Sequence, residues 1–508
     1  MAKPLFEVPV YMAASLIVSC VAMLFGLDTG SIGPVTTMLA FNKTFGQLSA
    51  TLHGVVVSSI LLPGALSAML AGVLADRYGR NRLIAIGGCT YAVGAAIECG
   101  STILGVFILG RLIKGVGEGL FLSTVYVYVA EISPPRVRGT LSALPQFLIT
   151  LGIVTGFFTC YGTGATIRES SLAWRLPLAL GSLLGFLFSA TVALVPPSPR
   201  WLVSQGRMDE ARAVVASLGL SEDERDEMLT LPDPADSVVH HGAEGSGGRK
   251  TTLSEDVKHM LSGFGHAFSG PFRARTAFGC FIMAFQQFSG IDGVLYYAPT
   301  LFRLAGLTSE QASFLASGVS ALVIMVVTVP ATLWADKWGR RTSTLVGGSL
   351  ITVEMLLMGS LYAAGQVQPT GGAGRWVVIV TIYLFAVTFS VTWSISLRTF
   401  LVESLPRKTR SSASALAQSS NWLANYLIAL TTPMLLAKST FGAYYFFGFA
   451  TLFCTLVCAA FMFETKGKSL EVIEQQYKES RAAQTTGRWN LGDLQLKRMR
   501  VQVAPSDG

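Results

Sequence analysis

The stretch Ala75-Asp-Arg-Tyr-Gly-Arg80 follows the second apolar block of the chain, and it recurs as Ala335-Asp-Lys-Trp-Gly-Arg-Arg341 after the eighth. A second repeat has the form Glu-x6-Arg and occupies residues 131–138 after the fourth block and 403–410 after the tenth. In both repeats the two copies are six blocks apart. The sequence therefore predicts two related halves, an internal symmetry typical of transporters whose halves rock about a central site.

The composition is that of a protein that crosses a membrane many times. Of 508 residues, 51% are hydrophobic and 13% are charged, and the mean hydropathy is +0.52. Soluble domains carry about 25% charged residues. The apolar residues gather in blocks of about 20, which is enough to cross a hydrocarbon core about 30 Å thick. The predicted spans are residues 9–32, 52–75, 83–102, 104–130, 143–163, 175–195, 276–299, 312–334, 344–364, 376–402, 413–436 and 443–463.

The predicted fold class is an all-α membrane protein with twelve transmembrane helices in two six-helix bundles and a cytoplasmic central linker. The N-terminal bundle takes residues 1–195 and the C-terminal bundle residues 276–463. The linker, residues 196–275, is polar and contains the Gly/Ser-rich run 244–249, so it cannot span a bilayer, and we expect short helices in it. Residues 464–508 form a tail.

Basic residues lie mostly in the connections after the even-numbered spans. By the positive-inside rule these connections, and with them both termini, are cytoplasmic. The sequon Asn42-Lys-Thr44 lies in the first connection on the other side, where an asparagine can be glycosylated. The plasma membrane is the default location, although a vacuolar membrane leaves the same topology.

Several other classes of protein find no support in the sequence. The net charge of +8 comes from these connections rather than from a patch for nucleic acid. The seven cysteines include no CxxC pair, so neither a disulfide framework nor a metal site is predicted. The sequence shows no nucleophile elbow, phosphate loop or Rossmann glycine pattern. We therefore expect no cofactor, no metal, no nucleic-acid partner and no enzymatic activity.

The motifs of the chain resemble those of the sugar porter family of the major facilitator superfamily, fungal-type members most of all. The resemblance covers residues 9–470 and rests on the order and spacing of the motifs. They are Asp76–Arg80, Gly110-Arg111, Glu131, Arg138-Gly139, Pro199–Leu202, Gln286–Ile291, Tyr296-Tyr297, Asp336–Arg341, Asn421-Trp422 and Glu464–Gly467. The resemblance implies import of a sugar or polyol by alternating access.

Asp28 is the most informative ionisable residue within a predicted span. In proton-coupled sugar porters, which this stretch resembles, an Asp here is thought to take the proton while an Arg of span 4, here Arg111, restrains it. Burial disfavours a charged carboxylate and a nearby guanidinium favours it, so proton affinity depends on their separation. The alternative is a static pair. Lys114 and Glu118, four residues apart on one helix, are expected to pair with each other rather than with substrate.

Recognition of a sugar needs amide and hydroxyl groups in fixed directions and an aromatic face for the C–H surface of the ring. The resemblance assigns such contacts mostly to the C-terminal half. The matching residues are Phe25, Gln146, Gln286, Gln287, Tyr296, Tyr297, Asn421, Trp422 and Asn425. The alternative is that the amides only join helices through hydrogen bonds.

Carboxylates and guanidinium groups at the cytoplasmic helix ends are expected to act as gate latches. Such groups pair across spans and separate when the two halves rotate. The expected residues are Asp76, Arg80, Glu131, Arg138, Asp336, Arg340, Glu403, Arg410 and Glu464. The alternative is that some are charges that snorkel at the membrane interface.

Departures from the family pattern leave the substrate open. Asp292 stands where the family usually has Asn. Span 10 contains Trp393-Ser-Ile-Ser-Leu-Arg398 without the usual prolines, so the outer part of this helix should be stiffer. Arg398 has three interpretations. It can pair with Asp292 in the cavity, receive a carboxylate of the substrate, or join Glu403 at the cytoplasmic end.

The sequence thus predicts a secondary active transporter that imports a sugar or polyol, driven by protons that enter through Asp28, and that works as a monomer in the lipid bilayer. Two alternatives remain open. The same fold can carry organic acids or sugar acids, or export a secondary metabolite. A nutrient receptor that does not transport is the second alternative, although such receptors usually have long cytoplasmic tails.

Overall fold

The computed structural model describes residues 9–220, 222–229, 252–270, 272–307, 309–334, 337–368 and 372–466. Within these ranges the chain is mostly helical. Three predictions concern residues outside them, namely the Gly/Ser-rich run 244–249, the gate residue Asp336, and the tail beyond residue 466.

Twelve helical segments lie at the positions of the predicted spans. They are α1 (Val10–Thr37), α2 (Ala50–Ser58 and Leu61–Tyr78), α3 (Arg80–Gly100), α4 (Leu104–Ile132), α5 (Pro135–Ser142 and Leu144–Thr166), α6 (Leu172–Ala193), α7 (Arg273–Phe288 and Ile291–Leu304), α8 (Glu310–Trp334), α9 (Arg340–Ala363), α10 (Ala373–Val391 and Trp393–Ser404), α11 (Arg410–Lys438) and α12 (Thr440–Phe461). Ten of them are long and apolar enough to cross a membrane. The other two, α4 and α11, contain more charged or polar residues and pack within the same bundles.

Shorter helices occupy the connections. They are Leu39–Phe45 after α1, then Pro199–Ser204, Met208–Ser217, Glu222–Leu229 and Leu253–Ala267 between α6 and α7, and a 3-10 turn at Arg407–Thr409 before α11. Helix Leu253–Ala267 packs against both α2 and α11, where Met260 and Phe264 contact Val73. The segment between the halves therefore touches both of them.

The helices form two bundles. In the N-terminal half α3 packs on α4 and α6, and α1 packs on α5; in the C-terminal half α9 packs on α12, and α7 packs on α11. The halves meet along α1 with α7, α2 with α11, and α5 with α8. The two-bundle helical architecture predicted from the sequence is thus confirmed.

Helix α1 approaches α5 closely at Gly26, and this contact orients the rest of α1. A Cβ at Gly26 would lie 1.8 Å from the carbonyl oxygen of Ile149, so only glycine fits. Asp28 follows two residues later and therefore lies on the roughly opposite side of the helix. Its side chain is directed away from α5 and toward α4.

The two halves touch at the end of the molecule away from the basic connections; we call these the opposite end and the basic end. A Cβ at Gly33 of α1 would lie 2.1 Å from the carbonyl oxygen of Tyr296 in α7. Arg168 of the N-terminal half forms an ion pair with Glu310 of the C-terminal half at 3.1 Å. The opposite end is therefore closed in this structure.

Helix α10 is interrupted at Thr392 even without a proline, a break that the sequence did not predict; the stiffness of its outer part stays a prediction. The hydroxyl of Thr392 donates to the carbonyl of Thr388 at 2.6 Å, a bond within the helix that often bends it. The next residue, Trp393, is fully buried and donates through Nε1 to the carbonyl of Thr344 at 2.9 Å. Trp393 therefore packs on α9 and does not cover a cavity.

Candidate functional site

A buried group of ionisable side chains lies between α1, α3 and α4. We call it the charge cluster, and it consists of Asp28, Glu98, Arg111, Lys114 and Glu118, none of which is more than 4% exposed. Both carboxylate oxygens of Asp28 lie 3.4 Å from guanidinium nitrogens of Arg111. Lys114 Nζ is closer, 2.5 Å from Asp28 Oδ1. Asp28 therefore has two cationic partners where the sequence suggested one.

Arg111 is also held by α2. Its Nη2 donates to the carbonyl of Val57 at 3.0 Å, next to the point where the first part of α2 ends at Ser58. Carbonyls in the last turn of a helix lack partners within the helix, and a guanidinium satisfies one of them here. Arg111 can therefore keep its position when its contact with Asp28 changes.

The expected pairing of Lys114 with Glu118 is wrong. Lys114 Nζ lies 2.9 Å from Glu98 Oε2 on α3, in addition to its contact with Asp28. Glu118 Oε2 is buried and has no hydrogen-bond partner among the described residues. The four-residue spacing brings side chains near each other on an isolated helix, but in this bundle two carboxylates on neighbouring helices lie within reach of the lysine and hold it.

Glu98 is an ionisable residue within a predicted span for which the sequence named no partner, and sequence reasoning missed Tyr91 altogether. The Tyr91 hydroxyl donates to the carbonyl of Leu24 at 3.0 Å, and its ring lies 5.2 Å from Lys114 Nζ. An aromatic face attracts a cation, so the ring helps to hold the lysine. Both residues lie on α3, and no local pattern reveals which face of α3 meets α4.

Amide side chains join three helices in the C-terminal half. Asn421 Nδ2 donates to the carbonyl of Met283 at 2.8 Å and to Gln286 Oε1 at 3.1 Å. Gln286 Nε2 donates to the carbonyl of Trp393 at 3.0 Å, and Gln287 Nε2 to Asn421 Oδ1 at 3.2 Å. These bonds link α7, α10 and α11. Gln287 Oε1 is buried and has no hydrogen-bond partner in the described part of the chain.

Asp292 and Asn425 form a second polar pair next to these amides. Asn425 Nδ2 donates to Asp292 Oδ2 at 2.5 Å, whereas Asn425 Oδ1 is buried without a partner among the residues described. Tyr297 is engaged elsewhere, because its hydroxyl donates to the carbonyl of Ala429 at 2.6 Å. Tyr296 is buried in the same part of α7. The C-terminal half thus presents two buried amide oxygens that can accept hydrogen bonds.

Two aromatic residues predicted to contact sugar, Phe25 and Trp422, face each other across the two halves. The Phe25 ring lies 6.3 Å from the Trp422 ring in an edge-on arrangement, so α1 and α11 share an aromatic contact. Gln146 of α5 accepts a hydrogen bond from the Tyr126 hydroxyl of α4 at 3.3 Å. Tyr126 is another residue that sequence reasoning missed.

Arg398 is exposed and forms neither of the ion pairs considered for it. Asp292 is bonded to Asn425, and Glu403 pairs with Arg340 at 3.1 Å. Among the described residues no carboxylate forms an ion pair with Arg398. The interpretation of Arg398 as a latch with Glu403 is therefore not what this structure shows.

Ion pairs at the basic end follow the sequence repeat. Arg80 contacts Asp76 at 2.7 Å and Glu131 at 3.1 Å; at the equivalent position Arg340 contacts Glu403. These pairs cross from one helix to another as expected, but each lies within a single half, because α3 neighbours α4 and α9 neighbours α10. Rotation of the halves as rigid bodies leaves such pairs intact, so their expected separation is not supported.

Arg138 and Arg410 also occupy equivalent positions. The guanidinium of Arg138 donates to the carbonyl of Ser133, and that of Arg410 to the carbonyl of Leu405, at 3.4 Å in both cases. Each arginine thus bonds to the carbonyl five residues before it. Both therefore hold the turn that follows an even-numbered helix.

The segments that follow the two halves bind equivalent turns. After α12, Glu464 accepts hydrogen bonds from the backbone N–H groups of Arg340 at 2.7 Å and Arg341 at 3.1 Å, and so caps the first turn of α9. After α6, Trp201 Nε1 donates to the carbonyl of Asp76 at 2.8 Å. The internal symmetry therefore extends beyond the membrane helices.

Asn42 of the sequon lies in the short helix Leu39–Phe45 near the opposite end. It is half-buried, and its Nδ2 donates to the carbonyl of Met38 at 3.1 Å. Its glycosylation stays a prediction.

The sequence model of the family described as Sugar (and other) transporter matches residues 14–477. The chain belongs to this family. The resemblance seen in the motifs is thereby confirmed, as is the expectation of a transporter rather than an enzyme.

Similar proteins agree with this assignment. The high-affinity glucose transporter of Kluyveromyces lactis is 27% identical over 492 residues, which cover 93% of this chain and 86% of that protein. The glucose transporter GlcP of Staphylococcus epidermidis is 31% identical over 466 residues, 91% of this chain and 96% of that protein.

A solved structure supports the fold. The proton:xylose symporter XylE of E. coli, a major facilitator superfamily protein solved with 6-bromo-6-deoxy-D-glucose, aligns with a TM-score of 0.70 at 25% identity, over 92% of this chain and 99% of that one. The major facilitator fold predicted from the sequence is thus confirmed.

Proposed function

We propose that this protein imports a sugar, or a polyol with similar hydroxyl groups, by alternating access coupled to proton entry. Support comes from its family, from relatives named as glucose transporters, and from a similar structure named as a proton:xylose symporter. The observation that carries the proposal is Asp28, a carboxylate 4% exposed that contacts both Arg111 and Lys114. A carboxylate at this depth is expensive unless it is paired or protonated.

Asp28 can couple protons to movement because its two states differ in charge. Ionised Asp28 attracts Arg111 and Lys114 and ties α1 to α4. Protonation removes that attraction, so α1 is held less firmly. Since α1 packs on α7 of the other half, its freedom affects the interface that opens and closes. A proton that binds from one side and leaves to the other then biases which end is open.

Two buried amide oxygens without partners among the described residues, Gln287 Oε1 and Asn425 Oδ1, support a site for hydroxyl groups. An unpaired buried acceptor is unfavourable, and a sugar hydroxyl that donates to it removes this penalty. Asp292 supplies a third acceptor, and Phe25 and Trp422 offer apolar faces for the C–H surface of a sugar. Gln286, Asn421, Tyr296 and Tyr297 shape this site, and Gln146 faces it from the N-terminal half.

The basic end faces the cytoplasm in this proposal, because positively charged connections are retained on that side. Both termini are then cytoplasmic, and Asn42 lies outside. A single chain contains both halves of the site and acts as a monomer in the plasma membrane.

The ion pairs of the basic end keep each half rigid during transport. Arg80 with Glu131, and Arg340 with Glu403, fasten neighbouring helices of one half, so that the half rotates as a unit. Contacts that close the basic end must form between halves. Arg138 and Arg410, on equivalent turns, are our candidates for them.

The proposal is tested by uptake of labelled glucose, xylose, inositol and galacturonate into transporter-deficient yeast at acidic and neutral pH, with and without a protonophore. The wild type, Asp28→Asn and the control Glu354→Gln are compared at equal surface expression. Glu354 lies on α9, outside the charge cluster, and accepts a bond from Thr388 at 2.8 Å.

We expect uptake of a neutral sugar or polyol that the protonophore reduces and that Asp28→Asn abolishes, with Glu354→Gln like the wild type. Proton coupling through Asp28 would be refuted by Asp28→Asn cells that keep protonophore-sensitive uptake. Uptake of galacturonate alone, lost in Arg398→Ala, would replace the neutral sugar with an acid.

A further inference from the structure

Glu118 is a buried acid that the proposed coupling does not use. It lies one turn after Lys114 and two turns after Arg111 on α4, and it is 1% exposed. Its Oε2 has no hydrogen-bond partner among the described residues, although a lysine stands four residues away. A buried polar atom left unpaired in this way calls for an explanation.

The charges around Glu118 are balanced without it. Asp28 and Glu98 carry two negative charges, and Arg111 and Lys114 carry two positive ones, all within the contacts described above. An ionised Glu118 would leave the cluster with one uncompensated negative charge in a buried place, which is strongly unfavourable. Glu118 bearing a proton leaves the cluster neutral.

The groups that face Glu118 from the other helices do not change this balance. Asp28 comes from α1, Glu98 and Tyr91 from α3, and Tyr296 from α7. From α2, Ser67 approaches Gly119, the residue that follows Glu118 on α4. The only titratable group in the first part of α2, Ala50–Ser58, is His53, and it bonds to Thr36 at 2.9 Å. No further cation enters the cluster from these residues.

We propose that Glu118 is the exit site of the transported proton, paired with Asp28 as the entry site. This rests on the proposed coupling through Asp28. In the transfer the O–H bond of Asp28 breaks and an O–H bond forms on Glu118, while Lys114 stays protonated and moves its ion pair from Glu118 to Asp28. The structure shows the state after transfer, with Lys114 Nζ 2.5 Å from Asp28 and Glu118 unpaired.

Loss of the proton from Glu118 resets the cluster. Ionised Glu118 competes for Lys114, which lies one helical turn away. When Lys114 returns to Glu118, Asp28 keeps only the longer contacts with Arg111 and takes up the next proton. One proton is bound and one released in each cycle, and the cluster is neutral both before and after the transfer.

The test uses the full-length purified protein and two readouts. The first is the infrared absorption of a protonated carboxyl group, identified by its shift in D2O, for the wild type, Glu118→Gln and the control Glu354→Gln. The second is internal acidification of liposomes that contain each variant, driven by an inward gradient of the transported sugar and followed with a pH-sensitive dye.

We expect the protonated carboxyl absorption of the wild type to lose one group in Glu118→Gln, and proton movement per sugar to be lost. Glutamine is neutral like the protonated acid and does not compete for Lys114, which therefore stays paired with Asp28. An unchanged carboxyl band in Glu118→Gln would mean that Glu118 is ionised and would overturn the proposal. If the variant does not fold, absence of any protonated carboxyl from the wild-type spectrum overturns the proposal equally.

Asp28→Asn separates the two claims. If Asp28→Asn still moves protons with sugar, coupling through Asp28 is refuted whatever Glu118 does. If Asp28→Asn stops proton movement while Glu118→Gln moves protons like the wild type, the exit site is refuted and coupling through Asp28 stands.

Discussion

Replacement of Lys114 by Met tests the ion pairs of Lys114 with Asp28 and Glu98, which the sequence did not predict. The substitution keeps an unbranched side chain and removes the ammonium that lies 2.5 Å from Asp28 and 2.9 Å from Glu98. Asp28 retains Arg111, but fully buried Glu98 loses the ion pair that the structure shows for it. Removal of one partner from a buried ion pair costs about 3–5 kcal/mol.

The double variant Lys114→Met/Glu98→Gln removes both charges of the pair. It should recover much of the lost stability, because the neutral amide of the second substitution leaves no charge to compensate. We expect a coupling energy of about 2 kcal/mol or more between the two positions. The assay is unfolding by SDS in mixed micelles, followed by intrinsic fluorescence, for the wild type, both single variants and the double variant.

An exposed ion pair provides the control. Lys43 pairs with Glu169 at the surface, so Lys43→Met should leave the free energy of unfolding nearly unchanged. Additive effects of Lys114→Met and Glu98→Gln, with a coupling energy below about 0.5 kcal/mol, would refute the bridging role of Lys114.

Three other substitutions test separate parts of the structure. Gly33→Leu places a side chain against a backbone carbonyl of α7 and should hold the opposite end open. A cysteine introduced in place of Gln287 should then react with an impermeant reagent added outside, and protection of that cysteine as in the protein with Gly33 would contradict this. Asn425→Ala should raise the KM for sugar about fivefold, since one hydrogen bond contributes about 1 kcal/mol. Half-buried Thr431, whose hydroxyl donates to the carbonyl of Leu427 on the same helix, is the control, and Thr431→Ala should leave the KM unchanged. Arg340→Ala removes the ion pair of Glu403 and should lower the melting temperature in detergent. The accessibility of the two ends to impermeant reagents should stay as in the wild type; a change in accessibility would show that the pair acts as a latch between the halves.

Patterns that lie along the sequence predicted the architecture. Apolar blocks fixed the positions of the spans, because the bilayer demands a minimum length of apolar helix. The repeated turns predicted that Arg80 and Arg340 occupy equivalent places, and each contacts an acid on the neighbouring helix. These predictions succeed because the relevant residues are near helix ends whose neighbours follow from the topology.

The interior of the charge cluster was not predictable in the same way. The spacing of Lys114 and Glu118 favoured a pair on one helix, but Lys114 bonds to Asp28 and Glu98 instead. That choice depends on how α1, α3 and α4 rotate about their axes when they pack, which a single sequence does not reveal. The break at Thr392 was missed for another reason, because attention to proline overlooked a threonine that bonds back to its own helix.

Accumulation of sugar in liposomes tests the central claim most directly. Vesicles with the wild-type protein are given a pH gradient, alkaline inside, and the steady ratio of internal to external sugar is measured with labelled substrate. Coupling of one proton per sugar predicts a ratio that rises about tenfold for each unit of pH difference, and a ratio of about one for Asp28→Asn in the same gradient. A wild-type ratio that stays at one, with uptake still rapid, would contradict proton-coupled import.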